Sequence, residues 1–233
     1  MSERREFRQT RFSPAAGACE ILLVRHGESA HLDEGDSFPL VGGHADPPLH
    51  RDGHEQAERV ADRLISTGER IAAVYVTTLT RTHQTAAPLL ARTGLQARVE
   101  PDLREVFLGD WEGGVLRHKV ADHDPVAIRL YTEQRWDVIP NAEPAAEFAG
   151  RVRAGIERIA AAHPDELVVA VVHGGVIGQV MNIAAGTSGF SFHGADNASI
   201  SHIVVTADRW IVRCFNDTSH LSPRFSTAPE PMT

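Results

Sequence analysis

The sequence predicts an α/β fold of three layers, an αβα sandwich whose central sheet is mainly parallel. Three strand-length runs are apolar without alternation, which is typical of strands covered on both faces: residues 21–24, Ile71–Val76 and Leu167–Val172. Segments with a helical spacing of apolar residues lie between or beside these runs: residues 53–66, residues 82–93 and Ala145–Ala162. Strands that alternate with helices indicate a layered α/β protein.

Two later stretches depart from this alternation. Ile200–Val205 and residues 210–215 are predicted to pair as a hairpin close to the C-terminus. Residues 109–141 show no clear period but hold two tryptophans and several charges. We expect this stretch to be an insertion that caps one end of the sheet, because long irregular segments of a compact domain are often binding loops.

The composition is that of an ordinary globular chain. The 233 residues, 42% hydrophobic and 23% charged, suit a single domain over residues 19–221 with flexible tails at 1–18 and 222–233. The 23 basic and 31 acidic residues give a net charge of −8, which argues against a nucleic-acid partner.

No segment of the sequence indicates a membrane or secreted protein. No run approaches the ~18 apolar residues that a membrane helix needs, and the arginine-rich start has no apolar region of a secretory signal. Two cysteines, Cys19 and Cys214, are too few for a disulfide scaffold and are interpreted as reduced thiols. The sequence therefore predicts a cytoplasmic protein with no membrane partner.

Chemistry-bearing residues follow all three apolar runs. Arg25 and His26 come directly after the first run, with a glycine behind them. The third run ends in His173 and Gly174, and Arg81 follows the second run near the start of a helix. Ligand sites of open α/β sheets lie beyond the carboxyl ends of the strands, so we expect these side chains to surround one point.

Two arginines and two histidines around one point predict a phosphate site. Arginine binds phosphate oxygens bidentately, and the amides at the start of a helix also suit an anion. A neutral histidine can act as a nucleophile, and nearby arginines disfavour its protonation. Glu105 is the candidate acid that protonates the leaving oxygen.

Five ordered motifs in this sequence resemble those of the histidine phosphatase superfamily, which has the phosphoglycerate mutase-like fold. The resemblance covers nearly all of residues 20–215. Arg25-His26-Gly27-Glu28-Ser29 is similar to the signature R-H-G-E-[ST]. The other four segments resemble G-x-x-D-x-P-L…G-x-x-Q-A, S-x-L-x-R-[AT]-x-x-T-A, L-x-E…G-x-W-E-G and [VS]-H-G-G, and they lie at residues 43–57, 77–86, 103–113 and 172–175.

The resemblance implies a role for each matched residue. His26 would be the phosphorylated nucleophile, Glu105 would protonate the leaving group, and the groups holding the phosphoryl oxygens would be Arg25, Arg81, His173 and Gly174. It implies hydrolysis of small phosphate monoesters without a metal or other cofactor, with residues 109–141 as the substrate cap. One departure is Leu32, preceded by His31, where family members often carry a phosphate-binding asparagine.

Two other functions stay open. The first is a phosphoglycerate mutase dependent on 2,3-bisphosphoglycerate, although residues 105–109 lack the arginine and tyrosine typical of that branch. The second is a non-catalytic protein that binds phosphate esters. The substrate and the oligomeric state also stay open, with a homodimer among the alternatives.

Three histidines in one stretch, His44, His50 and His54, invite a metal-site interpretation. The H-E-x-x-H zinc motif is absent because no second histidine follows His54 at the required spacing. We therefore interpret all three as surface histidines.

Overall fold

A six-stranded sheet forms the centre of the molecule, in a computed structural model that describes residues 7–222. The strands are β1 (Cys19–Arg25), β2 (Leu40–Val41), β3 (His44–Ala45), β4 (Ile71–Val76), β5 (Ala97–Val99), β6 (Leu167–Val172), β7 (Ile200–Val205) and β8 (Trp210–Asp217). Their order in the sheet is β5-β4-β6-β1-β7-β8, and β2 pairs with β3 outside it.

Helices connect these strands. The α-helices of the described residues are α1 (Arg51–Ser66), α2 (Thr80–Thr93), α3 (Val115–Ala121), α4 (Pro125–Glu133), α5 (Ala145–Ala162) and α6 (Gly174–Ala185). Short 3-10 helices occur at Pro101–Leu103, Gly109–Gly114 and Trp136–Val138. No helix within residues 7–222 combines the length and the apolar character needed to cross a membrane.

Apolar side chains cover both faces of the sheet. On one face, Leu23 of β1 belongs to a buried cluster with Ile156 of α5 and Ile177 of α6. On the other face, Val24 belongs to a second cluster that includes Val60 of α1. The two clusters place helices on opposite faces, as expected from alternating side-chain directions along a strand. The predicted three-layer α/β fold is confirmed.

The strand pairing brings the three predicted strand ends together. β6 lies between β4 and β1 and runs parallel to both, so the carboxyl ends of all three meet at one edge. β7 and β8 pair antiparallel, which confirms the predicted hairpin. The sheet is therefore mainly parallel on the β5 side and antiparallel on the β8 side.

Some predicted boundaries differ from the structure. Helix α1 begins at Arg51 rather than at residue 53, because the His50 side chain accepts a hydrogen bond from the Asp52 amide and caps it. Strand β5 was not predicted, since its three residues are mostly exposed and too few to show a pattern.

Residues 109–141 form short helices around a small core of their own. That core holds Trp111, Leu130 and Ile139, all at most 5% exposed. The amphipathic character of α4 is spread over only nine residues, which is why no period was visible in the sequence. The predicted tails lie partly outside the described residues, at 1–6 and 223–233, and the predicted domain limits stay predictions.

Candidate active site

The side chain of His26 lies directly beyond the end of β1. Its backbone amide donates to the Val172 carbonyl of β6 at 3.0 Å, which extends the strand pairing to the site. The ring Nδ1 lies 2.7 Å from the Gly27 carbonyl. A carbonyl oxygen only accepts, so Nδ1 carries the proton and Nε2 keeps its lone pair. Nε2 is the ring atom that can attack an electrophile.

The surroundings of His26 hold it in the neutral form. Burial lowers the pKa of His26 well below its usual range, and the positive charges of Arg81 and Arg25 lower it further. The hydrogen bond to Gly27 opposes this shift but does not reverse it. The imidazole is therefore neutral at neutral pH, with Nε2 unprotonated, as a nucleophile requires.

Close backbone packing fixes the loop after His26. Any side chain at Gly27 would collide with the carbonyl of Gly53 in the first turn of α1. The amide of Glu28 donates to Gln56 Oε1 at 2.8 Å. These contacts explain why the G-x-x-Q-A segment accompanies the R-H-G segment, because α1 supports the loop from behind.

Arg25 presents an unpaired donor to the site. Its Nη1 donates to the Ala195 carbonyl at 2.6 Å, while its buried Nε has no hydrogen-bond partner among the described residues. Gly174, the first residue of α6, lies against this guanidinium, where a Cβ would be 3.4 Å from Nε. A buried donor without a partner is costly, and a bound anion would satisfy it.

Arg81 lies in the first turn of α2 and is 7% exposed. Its Nη1 donates to the Ala45 carbonyl at 2.9 Å. Asp46 accepts hydrogen bonds from the Thr80 amide at 2.8 Å and the Thr80 hydroxyl at 2.6 Å, which fixes the start of the helix. Burial lowers the pKa of Arg81 to about 10, so the group stays charged at neutral pH.

His173 follows β6 and is fully buried. Its Nε2 lies 3.0 Å from the Thr77 hydroxyl, and its Nδ1 is buried without a partner among the described residues. The rings of His26 and His173 lie edge to face, with centroids 5.3 Å apart. Burial and Arg81 lower the pKa of His173 well below its usual range. Nδ1 of His173 is thus a second atom available to a bound anion.

Backbone amides hold the carboxylate of Glu105. The Val106 amide donates to Oε1 at 3.0 Å, and the Gly175 amide at the start of α6 donates to Oε2 at 3.1 Å. A Cβ at Gly175 would lie 2.5 Å from Oε1, so a side chain at this position would displace the Glu105 carboxylate. Arg151 fixes the loop by donating to the Glu105 carbonyl at 2.8 Å.

The structure brings all the predicted site residues to one edge of the sheet. Glu105 acts electrostatically on both Arg25 and Arg81, and both arginines act on His26. Gly174 lies beside Arg25. The roles given to these residues above stay predictions, because geometry alone does not show turnover.

A third arginine, Arg117, acts on the site and was not predicted from the sequence. Arg117 of α3 donates to the Ala30 carbonyl and the Ser29 hydroxyl, both at 2.8 Å. Its charge also lowers the pKa of His26 and of Arg25. It lies in the aperiodic stretch, where nothing in the sequence distinguishes it from the surface arginines.

The motif residue Glu112 also has a role that the sequence did not reveal. Its carboxylate accepts from the Leu108 amide at 2.9 Å and from the Ala45 amide at 2.7 Å. Ala45 is the residue whose carbonyl accepts from Arg81. Glu112 therefore positions the segment that orients Arg81 and is a positioning residue.

His31, which precedes the departure from the family pattern at Leu32, is exposed. Its Nε2 lies 3.0 Å from Glu28 Oε1, and its ring stacks on His50 at 4.3 Å between centroids. Within the described residues, one group of side chains could hold a metal ion: Glu28, His31 and His50, with ligand atoms within 4.8 Å of one another.

The surface interpretation of the three neighbouring histidines was wrong for one of them. His44 is 8% exposed, and its ring packs edge to face against Phe107. It is the first residue of β3, and Phe107 lies two residues after Glu105 in the chain. His54 is exposed and His50 is half-buried, as a capping residue of α1.

Comparison with known proteins identifies the family. The profile of the histidine phosphatase superfamily (branch 1) matches residues 21–218. Phosphoglycerate mutase-like protein 4 of Arabidopsis thaliana is 34% identical over 206 residues, which cover 87% of this chain and 86% of the relative. The metal-independent phosphoserine phosphatase of the same plant is 32% identical over 208 residues, covering 87% and 83%.

A solved structure agrees with the sequence relatives. The native mycobacterial glucosyl-3-phosphoglycerate phosphatase superposes with a TM-score of 0.72 at 26% identity, covering 86% of this chain and 100% of that one. The profile match spans most of the chain and includes every motif described above. The chain belongs to the histidine phosphatase superfamily, branch 1, and is an enzyme of the phosphatase type.

Proposed function

We propose that this enzyme hydrolyses phosphate monoesters through a phosphohistidine formed at Nε2 of His26, without a metal ion. The observation that supports it is a neutral imidazole with Nε2 free, near buried nitrogen atoms that have no hydrogen-bond partner among the described residues. Those atoms are Nε of Arg25 and Nδ1 of His173. Relatives named as phosphatases support the same reaction class.

In the first step, Nε2 of His26 attacks the phosphorus and the bond to the leaving oxygen breaks. Protonated Glu105 gives its proton to that oxygen, so the product leaves as a neutral alcohol. Nδ1 of His26 keeps its proton, which the Gly27 carbonyl accepts. The positive charge that develops on the ring is offset by the negative phosphoryl group it now carries.

In the second step, a water molecule attacks the phosphohistidine. The Glu105 carboxylate takes a proton from this water, the N–P bond breaks, and inorganic phosphate forms. Arg25 and Arg81 stabilise the charge on the equatorial oxygens throughout, which replaces the role of a divalent cation. Neutral His26 and protonated Glu105 are restored for the next cycle.

A phosphoglycerate mutase is the second candidate function. It is favoured by the 34% identity to a protein named phosphoglycerate mutase-like. Such an enzyme must return the phosphoryl group to a second oxygen of the substrate before water reaches it. Phosphoryl transfer that requires added 2,3-bisphosphoglycerate, with no release of inorganic phosphate, would establish it in place of hydrolysis.

The test of the proposed function is p-nitrophenyl phosphate hydrolysis between about pH 5 and 8 with EDTA present. We expect the wild type to turn over and His26→Ala to be inactive. His54→Ala removes an exposed histidine of α1 and is the matched control that keeps full activity. Loss of wild-type activity in EDTA, restored by a metal ion, would overturn the metal-free mechanism. Substrate binding without turnover would favour the non-catalytic alternative.

Three further expectations remain proposals. We infer a cytoplasmic location from Cys19 and Cys214, which are free thiols, and burial raises the pKa of the Cys19 thiol to about 12. We also propose a single domain over residues 19–221, with residues 109–141 as its cap. The proposed partner is a small phosphate ester rather than a nucleic acid. Sedimentation of the purified chain decides between a monomer and a homodimer.

A further inference from the structure

A cavity of about 140 Å³ lies beside the candidate active site. Val106, Gly174 and Gly175 line it, and these residues contact or flank Glu105 and Arg25. His193 also lines it, and both Glu105 and Arg25 influence its pKa. The cavity therefore opens on the side where the leaving group of a phosphate ester would lie, next to the residue that protonates its oxygen.

Aromatic rings form one wall of this cavity. Phe190 and His193 stack with centroids 4.6 Å apart and an angle of 20° between the rings. The Trp136 ring lies 5.1 Å from Phe190. Burial lowers the pKa of His193, so its ring is uncharged at neutral pH. The lining thus includes flat, uncharged rings.

The charged side chains of the lining are already paired within the protein. Arg135 donates to Asp137 at 2.7 Å. Both oxygens of Glu143 accept from Arg151, at 2.6 and 2.8 Å. Each of these two charges is therefore matched by an opposite charge within the protein.

The amide of Asn182 is paired in the same way. It donates to the Gly189 carbonyl at 2.7 Å and accepts from the Thr187 hydroxyl at 2.8 Å. Other polar groups of the lining, among them the side chains of Gln134 and Gln179, are neutral. A leaving group that carries an ammonium and a carboxylate would lose its hydration in this cavity without gaining an ion pair.

Because of this lining, we propose that the enzyme prefers phosphate monoesters whose leaving alcohol carries one flat, uncharged ring, as in benzyl phosphate. The inference rests on the proposed function and adds the substrate class. An apolar cavity of about 150 Å³ accommodates benzene, so the volume matches a single ring. The ring would stack on the Phe190–His193 wall while Glu105 reaches the ester oxygen.

Two measurements test the preference. The first is kcat/KM for benzyl phosphate, ethyl phosphate and O-phosphoserine. Burial of one ring predicts an advantage of roughly 10- to 100-fold for the benzyl ester over the ethyl ester. The second is the Kd of benzylphosphonate and ethylphosphonate, measured by calorimetry on the wild type. These analogues are not hydrolysed, so a binding preference is measured whether or not the protein is a phosphatase.

Matched variants distinguish an effect of the cavity lining from an effect on the reaction centre. Ala145 lines the cavity and is exposed at the start of α5, so Ala145→Phe fills it without removing a contact. The neighbouring Ala146 is equally exposed and does not line the cavity, so Ala146→Phe is the control. Phe190→Leu keeps an apolar side chain but removes the ring face. The benzyl-to-ethyl ratio should fall about tenfold in Ala145→Phe and Phe190→Leu and stay unchanged in Ala146→Phe.

The outcomes distinguish this inference from the proposed function. Turnover that depends on His26 but shows equal kcat/KM for the benzyl and ethyl esters, or favours O-phosphoserine, would overturn the inference and leave the phosphatase intact. No turnover of any ester, with benzylphosphonate still bound about tenfold more tightly, would overturn the phosphatase and leave the cavity assignment intact. Equal Kd values for the two phosphonates would overturn the inference in either case.

Discussion

Replacing Glu105 by glutamine removes the proposed proton donor while keeping the size of the side chain. The carboxylate accepts one amide hydrogen at each oxygen, from Val106 and from Gly175. Glutamine offers one oxygen and one NH₂ group, so one of the two amides loses its acceptor. The unpaired amide costs about 1–3 kcal/mol of stability, which a parallel thermal unfolding experiment measures.

The expected loss of activity depends on the leaving group. General acid catalysis contributes about 10²- to 10⁴-fold when the leaving oxygen needs a proton. Ethyl phosphate has such an oxygen, so we expect Glu105→Gln to lower its kcat/KM by that factor. The nitrophenolate of p-nitrophenyl phosphate leaves as an anion and needs no proton. Its kcat/KM does not include the later hydrolysis of the phosphohistidine, so we expect kcat/KM to fall within about tenfold, from disturbed geometry alone.

The assay is steady-state phosphate release from both esters by the wild type, Glu105→Gln and Glu147→Gln. Glu147 is exposed on α5, so its variant controls for loss of a carboxylate elsewhere on the surface. Equal losses on both esters would refute the acid role and leave Glu105 as a group that only orders the start of α6. A full loss on p-nitrophenyl phosphate with retained activity on ethyl phosphate would contradict the reasoning altogether.

Two further predictions concern stability. The pKa values of His26 and His173 lie well below about 6.5, the value of an unfolded histidine, so the native state binds fewer protons than the unfolded state. The free energy of unfolding therefore falls by up to about 1.4 kcal/mol per histidine for each pH unit below 6.5. Urea unfolding at pH 7.5, 6.5 and 5.5 checks this, and an unchanged pH slope in His26→Gln would contradict it. Gly53→Ala should destabilise by about 1–3 kcal/mol, because its Cβ collides with the Glu28 backbone. The control is Gly150→Ala in α5, where the added Cβ meets open space, so we expect it to stabilise the protein by about 0.5–1 kcal/mol. Equal Tm shifts for the two variants would refute the packing argument.

The residues at the strand ends could be predicted from the sequence because their position follows from chain order. Once β1, β4 and β6 are read as neighbouring parallel strands, Arg25, His26, Arg81 and His173 must lie at one edge of the sheet. The strand register agrees with this expectation, because Arg25 pairs with Val172, the residue before His173.

Other parts of the site depend on contacts that no local pattern encodes. Arg117 reaches the site from a helix of seven residues, too short to show a period. The Phe190–His193 wall comes from an irregular segment after α6, where side-chain directions follow from tertiary packing. His44 was interpreted as a surface histidine because the zinc motif is absent, yet it is buried and the Phe107 ring packs against it. In each case the position is decided by residues distant in the chain.

The same burial produces both properties that the proposed reaction needs, a neutral imidazole at His26 and charged arginines beside it. Removing water lowers the pKa of His26 and leaves the arginines with few competing partners, so the charge of Arg25 and Arg81 is directed at whatever occupies the site. A phosphoryl dianion relieves this concentration of positive charge, whereas a neutral ligand does not. Arg117, which belongs to residues 109–141, adds a third positive charge that acts on His26. Removing this charge would therefore weaken phosphoryl binding and raise the pKa of His26 together, since one charge acts on both.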